Sequence, residues 1–268
     1  MFELSFEPRI GGKVISDSVR IIEEGLKSKD KELSKACASC KNGEKRLLIN
    51  KRFIDARRSK LKIIYRFDFA DEKEYRGKQQ EILDIAFPYK DIFCGHIEEK
   101  MSPVVVGAGP AGLFAALILA KYGLRPVVIE RGPEMKKRIA DCENYMNGSS
   151  RLNPASNIQF GEGGAGTFSD GKLYSGISSG LKSFVNLMFV SHGAPPDIMY
   201  DAHPHIGTDK IRDVVVNIRK DIISLGGEFL FETLFQGYTK DNNGLSYITV
   251  QDNKGSREIK CRHMILAI

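Results

Sequence analysis

The chain has 268 residues, 42% of them hydrophobic and 28% charged, a globular balance that excludes a disordered or low-complexity chain. Forty Lys and Arg against 34 Asp and Glu leave a net charge of +6, too mild to mark a nucleic-acid binder by itself. The five cysteines (Cys37, Cys40, Cys94, Cys142, Cys261) are scattered and odd in number, which excludes a disulfide scaffold and points to a reducing, cytoplasmic setting. The N-terminal stretch carries Glu3 and Glu7 and no apolar run, so no signal peptide is visible. The uncharged stretch Ser102 to Ala120 has the length of a membrane span. Gly107, Gly109, Pro110 and Gly112 instead break it into strand, turn and helix.

In chain order, residues 2–7 read as a short strand. Ser16 or Asp17 then caps a helix with Val19, Ile22 and Leu26 on one face. A charged segment follows, and then two strands, KRLLINKRFI and LKIIYRFDF. In the second, Leu61, Ile63, Tyr65, Phe67 and Phe69 alternate with the period of a half-buried strand. Residues 72–86 predict a helix with Ile82, Leu83 and Ala86 inward. This order gives a small α+β domain of ferredoxin-like character over 1–86, and residues 87–101, with Pro88 and Gly95, read as a linker.

From residue 102 the pattern changes. Val104–Val106 is an all-apolar strand of the kind buried in a parallel sheet, Ala111 to Tyr122 a helix, and Pro126 to Glu130 the next strand. Thr208 or Asp209 starts a helix whose inner face is Ile211, Val214, Val215, Ile218, Ile222 and Leu225. EFLFETLF follows as a strand. The turns at Asn242–Gly244 and Asp252–Gly255 punctuate short antiparallel strands, and residues 263–268 form another buried strand.

The first β-α-β unit carries Gly107, Gly109 and Gly112 in G-x-G-x-x-G spacing. Gly107 permits the tight turn, Gly109 lets a pyrophosphate approach the backbone, and Gly112 lets helix and sheet pack closely. Amides at the helix start, around Ala111 and Gly112, face the phosphates. Glu130, 18 residues after Gly112, ends the second strand, where a carboxylate accepts ribose hydroxyls and repels a 2′-phosphate, which disfavours NADP. A second loop, NIQFGEGGAGTFSDGKL, places Gly161, Gly163, Gly164 and Gly166 within six residues. Such density suits a backbone that passes close to a ligand.

The strings VVVGAGPAGLFAALILAKYGLRPVVIERG, LNPASNIQFGEGGAGTFSDGKL and PHIGTDKIRDVVVNIRKDIISLGGE resemble a family of FAD-dependent dehydrogenases with no established substrate. That family lies within the FAD/NAD(P)-binding oxidoreductases of the glutathione-reductase-2 type. The leading KRFIDARRSKLKIIYRFDF also resembles that family's small first domain. The resemblance implies an α/β, Rossmann-like three-layer domain with an antiparallel β-meander over 102–268. It implies FAD as cofactor, and NAD(P)H is admitted as electron donor. Gly107, Gly109, Pro110, Ala111, Gly112, Glu130 and Arg131 would hold the ADP half, with Gly163, Gly164, Ala165, Gly166 and Thr167 near the flavin half. In the family, the strand matching MILAI is followed by a glycine that contacts the cofactor and by a substrate region. The expectation is therefore a C-terminally truncated member acting on a small molecule, without a membrane partner.

Other signals carry less. Cys37-Ala-Ser-Cys40 lacks the second pair a zinc ribbon needs and the βαβ context of a redox motif, so no metal site is expected. His203 and His205 flank Pro204 in a loop, and Asp170 and Lys172 read equally as ligand contacts or as a paired surface turn. No catalytic residue is assigned. The run Lys45, Arg46, Lys51, Arg52, Arg57, Arg58, Lys60, Lys62 and Arg66 against Asp55 is read as a solvated basic face. Two other readings stay open. One is an NAD-dependent dehydrogenase, and the other a non-catalytic nucleotide- or RNA-binding module that uses the basic N-terminal domain.

Overall fold

The computed structural model describes residues 1–6, 16–57, 61–86, 101–173, 180–242 and 244–268, so the expected linker 87–101 lies outside the described residues except for Met101. The elements are β1 (Phe2–Phe6), α1 (Asp17–Leu26), α2 (Lys31–Lys41), β2 (Arg46–Asp55), β3 (Lys62–Ala70), α3 (Glu72–Ala86), β4 (Val104–Val106), α4 (Pro110–Lys121), β5 (Val127–Ile129) and α5 (Met135–Met146). They continue with α6 (Gly180–Ser191), α7 (Thr208–Ser224), β6 (Glu228–Leu230), β7 (Leu234–Asp241), β8 (Gly244–Asp252), β9 (Gly255–Lys260) and β10 (Met264–Leu266). No helix among the described residues is long and apolar enough to cross a membrane.

The chain divides into two compact units. The first comprises Met1–Pro88, Leu173–Val190 and Pro195–His205. The second comprises Tyr89–Lys172, Ser191–Ala194 and Ile206–Ile268. Chain order alone did not assign the two later segments to the first unit.

In the first unit β3 lies between β1 and β2 and is antiparallel to both. This is the strand order of a split β-α-β unit. Tyr65 and Phe67 are buried, with Ile63 and Phe69 packed beside them, whereas Leu61 precedes the strand and is exposed. The Ser16 side chain caps α1 and Asp30 caps α2. The inner face of α1 is Ile21 and Gly25, with Ile22 and Leu26 alongside. Val19 is exposed, contrary to the expected face, because two residues turn about 200° around a helix and carry it away from Ile21. Gly25 is needed where α1 meets α2, since a Cβ there would overlap the Cys37 sulfur. Cys37 is thus a core residue, and burial, aided by Cys40, pushes its thiol up to about 11.

Lys45, Arg46, Lys51, Arg57 and Arg66 of the basic stretch are exposed, as a solvated face requires, Arg52 and Lys62 are the half-buried exceptions, and Arg58 and Lys60 lie outside the described residues. The Arg52 guanidinium pairs with Asp17 at 2.8 Å, with Asp197 at 3.2 Å and with Asp201. Tyr65 donates to the other Asp17 oxygen at 2.7 Å. Arg46, Arg57 and Arg66 pair with Glu72, Asp55 and Glu3. Arg52 also joins residues 200–202 to the β2 edge, its amide donating to the Tyr200 carbonyl and its carbonyl accepting from Ala202.

The second unit is built on a parallel sheet in the order β10-β4-β5-β6. Helices α4 and α7 pack together on one side of it. The antiparallel meander β7-β8-β9 packs on the sheet through Ile248, Val250 and Cys261 against Val104, Val106 and Ile129. This gives the expected three layers. The inner face of α7 is Ile211, Val214, Val215, Ile218 and Ile222, and Leu225 lies past the helix end and is exposed. EFLFETLF is two strands rather than one. Glu232 sits between them with φ +51°, where the chain leaves the parallel sheet and enters the meander. Strand β10 is less buried than expected, since it forms the sheet edge and leaves Ile265 and Leu266 exposed.

Asp221 on α7 links Lys121 of α4, at 3.3 Å, to His192, at 3.2 Å. Burial alone would raise its carboxyl pKa, but Lys121 and His192 outweigh burial and hold it below the ordinary value.

Two outcomes follow. A pKa depressed in the folded chain adds stability above the unfolded-state value that is lost as pH falls through the folded one. Asp221→Asn should therefore cost about 0.5–1 kcal/mol at neutral pH in urea unfolding, with the deficit shrinking as pH drops towards about 3. Gly25→Ala should destabilise by about 1–3 kcal/mol through overpacking. Adding Cys37→Ala should recover much of that loss, and a double-mutant cycle reads the coupling directly.

Candidate cofactor site

The first glycine turn leaves β4 at Gly107, which has φ +102°. A Cβ there would lie 2.5 Å from the Ala267 carbonyl oxygen, so this position requires glycine on two counts. Gly112, in the first turn of α4, faces inward, and a Cβ would overlap the Gly107 carbonyl. Gly109 differs, because nothing lies within 4 Å of where its Cβ would be. The first amides of α4 have no acceptor within the helix, and the helix dipole adds partial positive charge at the same place.

Glu130 closes the turn from the next strand. Its two carboxylate oxygens accept the Ala108 amide at 2.9 Å and the Gly132 amide at 2.7 Å, and the residue is buried. A carboxylate has about four lone-pair sites, so further acceptor capacity remains. Arg131 points outward and donates to the Pro154 carbonyl at 3.4 Å.

The second glycine loop docks onto this turn. The Gly163 amide donates to the Ala108 carbonyl at 2.8 Å. Gly164, at φ +68°, lies so near the Pro110 ring that a Cβ would meet its Cδ at 2.9 Å. The loop is held from behind by Arg138 of α5, which is 0% exposed. Its Nε donates to Asn157 O at 3.0 Å and its Nη2 to Ile158 O at 3.0 Å. Nη1 reaches Glu162 O at 2.6 Å, Gly164 O at 3.0 Å and Thr167 Oγ1 at 3.0 Å. In return Glu162, also fully buried, accepts the Met135 amide at the start of α5 at 2.5 Å and pairs with Arg219 at 2.8 Å. Burial raises the Glu162 carboxyl pKa despite the pull of Arg219. From α7, Arg212 donates to Thr167 O at 2.9 Å, and Arg138 and Arg212 both lie over the Phe168 ring.

Turn and loop enclose a cavity of about 590 Å³. Its walls are Gly107 and Gly109, Glu130 and Arg131, Gln159–Gly161 with Gly164, and Thr233–Phe235, with Ala267 and Ile268 at one side. Of the residues the sequence singled out, Gly107, Gly109, Glu130, Arg131 and Gly164 line it. Pro110, Ala111 and Gly112 open α4 behind the turn. Gly163 anchors the loop, and Ala165, Gly166 and Thr167 lie in the single 3-10 turn Ala165–Phe168. Thr167 is buried, and its hydroxyl donates to Gly164 O at 2.8 Å.

Arg138, Glu162, Arg212, Phe160 and Thr233–Phe235 were not singled out. An arginine that follows Lys136 and Lys137 in an amphipathic helix looks like one more solvent-facing charge. A glutamate amid four glycines was the one available sign. His203 and His205 are exposed, Asp170 and Lys172 pair at 2.7 Å on the surface, and no metal-holding cluster of three acidic, His or Cys residues occurs among the described residues.

Residues 100–138, which span the first turn and the carboxylate strand, match the family model described as an FAD binding domain. An uncharacterized protein of Clostridium beijerinckii is 39% identical over 253 residues, which is 92% of this chain but 46% of that one. The chain thus spans about half the length of that relative. Among solved structures, Thermovibrio ammonificans THI4 is 14% identical with TM-score 0.40, over 67% of this chain and 61% of that one. The glycerol-3-phosphate dehydrogenase from Bacillus halodurans complexed with FAD is 12% identical with TM-score 0.38, over 66% of this chain and 36% of that one.

The residues present fit that cofactor. The open side of Gly109 leaves room beside the helix amides, Glu130 has acceptor capacity, and the cavity has the size of a small-molecule site. One inward glycine and one open glycine predict a contrast in unfolding experiments. Gly112→Ala should cost about 2–4 kcal/mol, because backbone must move, while Gly109→Ala should stay within about 1 kcal/mol of the parent. Residues 100–138 match an FAD binding domain, and FAD is the cofactor.

Proposed function

We propose that the chain is the FAD-holding part of a flavin-dependent oxidoreductase that acts on a small molecule. The observation that carries this reading is the open face of Gly109 between two glycine loops joined by the Gly163 amide and the Ala108 carbonyl. In this reading the pyrophosphate lies on the Gly107–Gly112 turn, where unpaired amides and the helix dipole favour negative charge. Glu130 accepts the ribose hydroxyls and would repel a 2′-phosphate, which makes NADP unsuitable at this turn. Arg131 lies beside it at the rim. The isoalloxazine extends towards the loop from Gly163 to Thr167.

Bound FAD supplies the redox chemistry, with NAD(P)H as a possible class of donor, and the protein supplies binding, orientation and electrostatics. The chain's own contribution is a cradle whose buried members, Gly107, Glu130, Gly163 and Thr167, stand behind an open rim. No described side chain is assigned as acid or base. The match to an FAD-binding model favours this reading over an NAD site, and the in-cis pairing of Arg46, Arg52, Arg57 and Arg66 gives an RNA-binding role no added support.

Calorimetric titration of the flavin-stripped chain with FAD tests the assignment. One-to-one saturable binding is expected. Gly109→Val should remove it, a loss of about a hundredfold or more, while leaving the unfolding midpoint near that of the parent. A Gly109→Val chain that binds FAD as well as the parent would place the pyrophosphate elsewhere.

A further inference from the structure

We infer that Arg138 is the positioning residue of the cofactor cradle, setting the shape of loop 157–167 without touching the cavity itself. This rests on the FAD reading above. Arg138 is absent from the cavity wall, yet its guanidinium reaches five oxygen acceptors spread over eleven residues of the loop. Those acceptors bracket Gln159, Phe160, Gly161 and Gly164, the four loop residues that do line the cavity. Phe160 shows the effect most plainly. It is 60% exposed, a poor place for a phenyl ring unless something holds it there, and the carbonyls of Asn157, Ile158 and Glu162 on either side of it are tied to Arg138.

The loop's own sequence cannot fix this shape, because four glycines within six residues give it a broad ensemble. Gly161 further shows that loop and arginine are fitted to each other. Its φ is +123°, and a Cβ would lie 2.8 Å from Arg138 Nε. Lysine is not an adequate replacement, since a single ammonium cannot span acceptors that a planar guanidinium reaches at once.

The test uses the full chain with Arg138→Ala and Arg138→Lys. Both are studied at low temperature, with circular dichroism to compare their fold with the parent's. Amide exchange is followed without ligand, and FAD affinity by calorimetry. The expected result is at least about tenfold faster exchange confined to residues 157–167, with the α7 amides unchanged, and about tenfold or greater loss of FAD affinity in both variants. Millimolar guanidinium should restore affinity and loop protection to Arg138→Ala, whereas methylammonium should not. Unchanged loop exchange, or FAD affinity equal to the parent's, would overturn the inference. So would loss of the fold in both variants, since the role would then be global. If the parent itself binds no FAD, the proposed function fails, and the exchange comparison still decides whether Arg138 shapes the loop.

Discussion

A guanidinium with no access to water has to be solvated by the protein, and in this chain that requirement organises the second unit's ligand-facing loop. Arg138 carries a charge that burial disfavours, so its pKa is lowered even with Cys142, Glu130 and Glu162 pulling the other way. Its nearest oxygens are the carbonyls and hydroxyl of one loop. Hydrogen bonds to a charged group are worth about 1.5–3 kcal/mol each, so several together offset the backbone entropy of a few glycines, about 1–2 kcal/mol each. The clamp also works in reverse. Glu162, from the middle of the loop, caps the helix that carries Arg138, so helix α5 and loop each satisfy polar groups the other would leave bare.

The glycines divide into two kinds. Gly107, Gly112, Gly161, Gly163 and Gly164 are small because protein lies against them. Gly109 is small although nothing in the protein requires it, and it is Gly109 that faces the space beside the α4 amides. Gly166 is open in the same way but does not line the cavity, so it is openness and position together that set Gly109 apart. Glu130 has a related double role. Its bonds to the Ala108 and Gly132 amides tie the ends of two adjacent strands together before any ribose is present.

Much of this fold was legible in the sequence because it follows local rules. The all-apolar Val104–Val106, the G-x-G-x-x-G spacing and the period of α7 each depend on neighbours a few residues apart. What escaped depended on distant partners. Arg52 looks like one more charge in a basic run, and only folding shows Asp17, Asp197 and Asp201 around it. Arg138 likewise sits in a polar helix, and its acceptors are backbone atoms, which have no sequence signature at all. Errors at Val19, Leu225 and the EFLFETLF strand are errors of phase and ending, where a short window cannot tell a helix's last inward residue from the first outward one.

Two glycine loops, separated by some fifty residues, are proposed to form one cradle for one dinucleotide. Amide hydrogen exchange with and without saturating FAD tests this most directly. Residues 107–112 and 159–167 should gain protection together and by similar factors, with Gly132 following through Glu130. Protection of the first turn alone, or of neither segment while FAD is demonstrably bound, would contradict it.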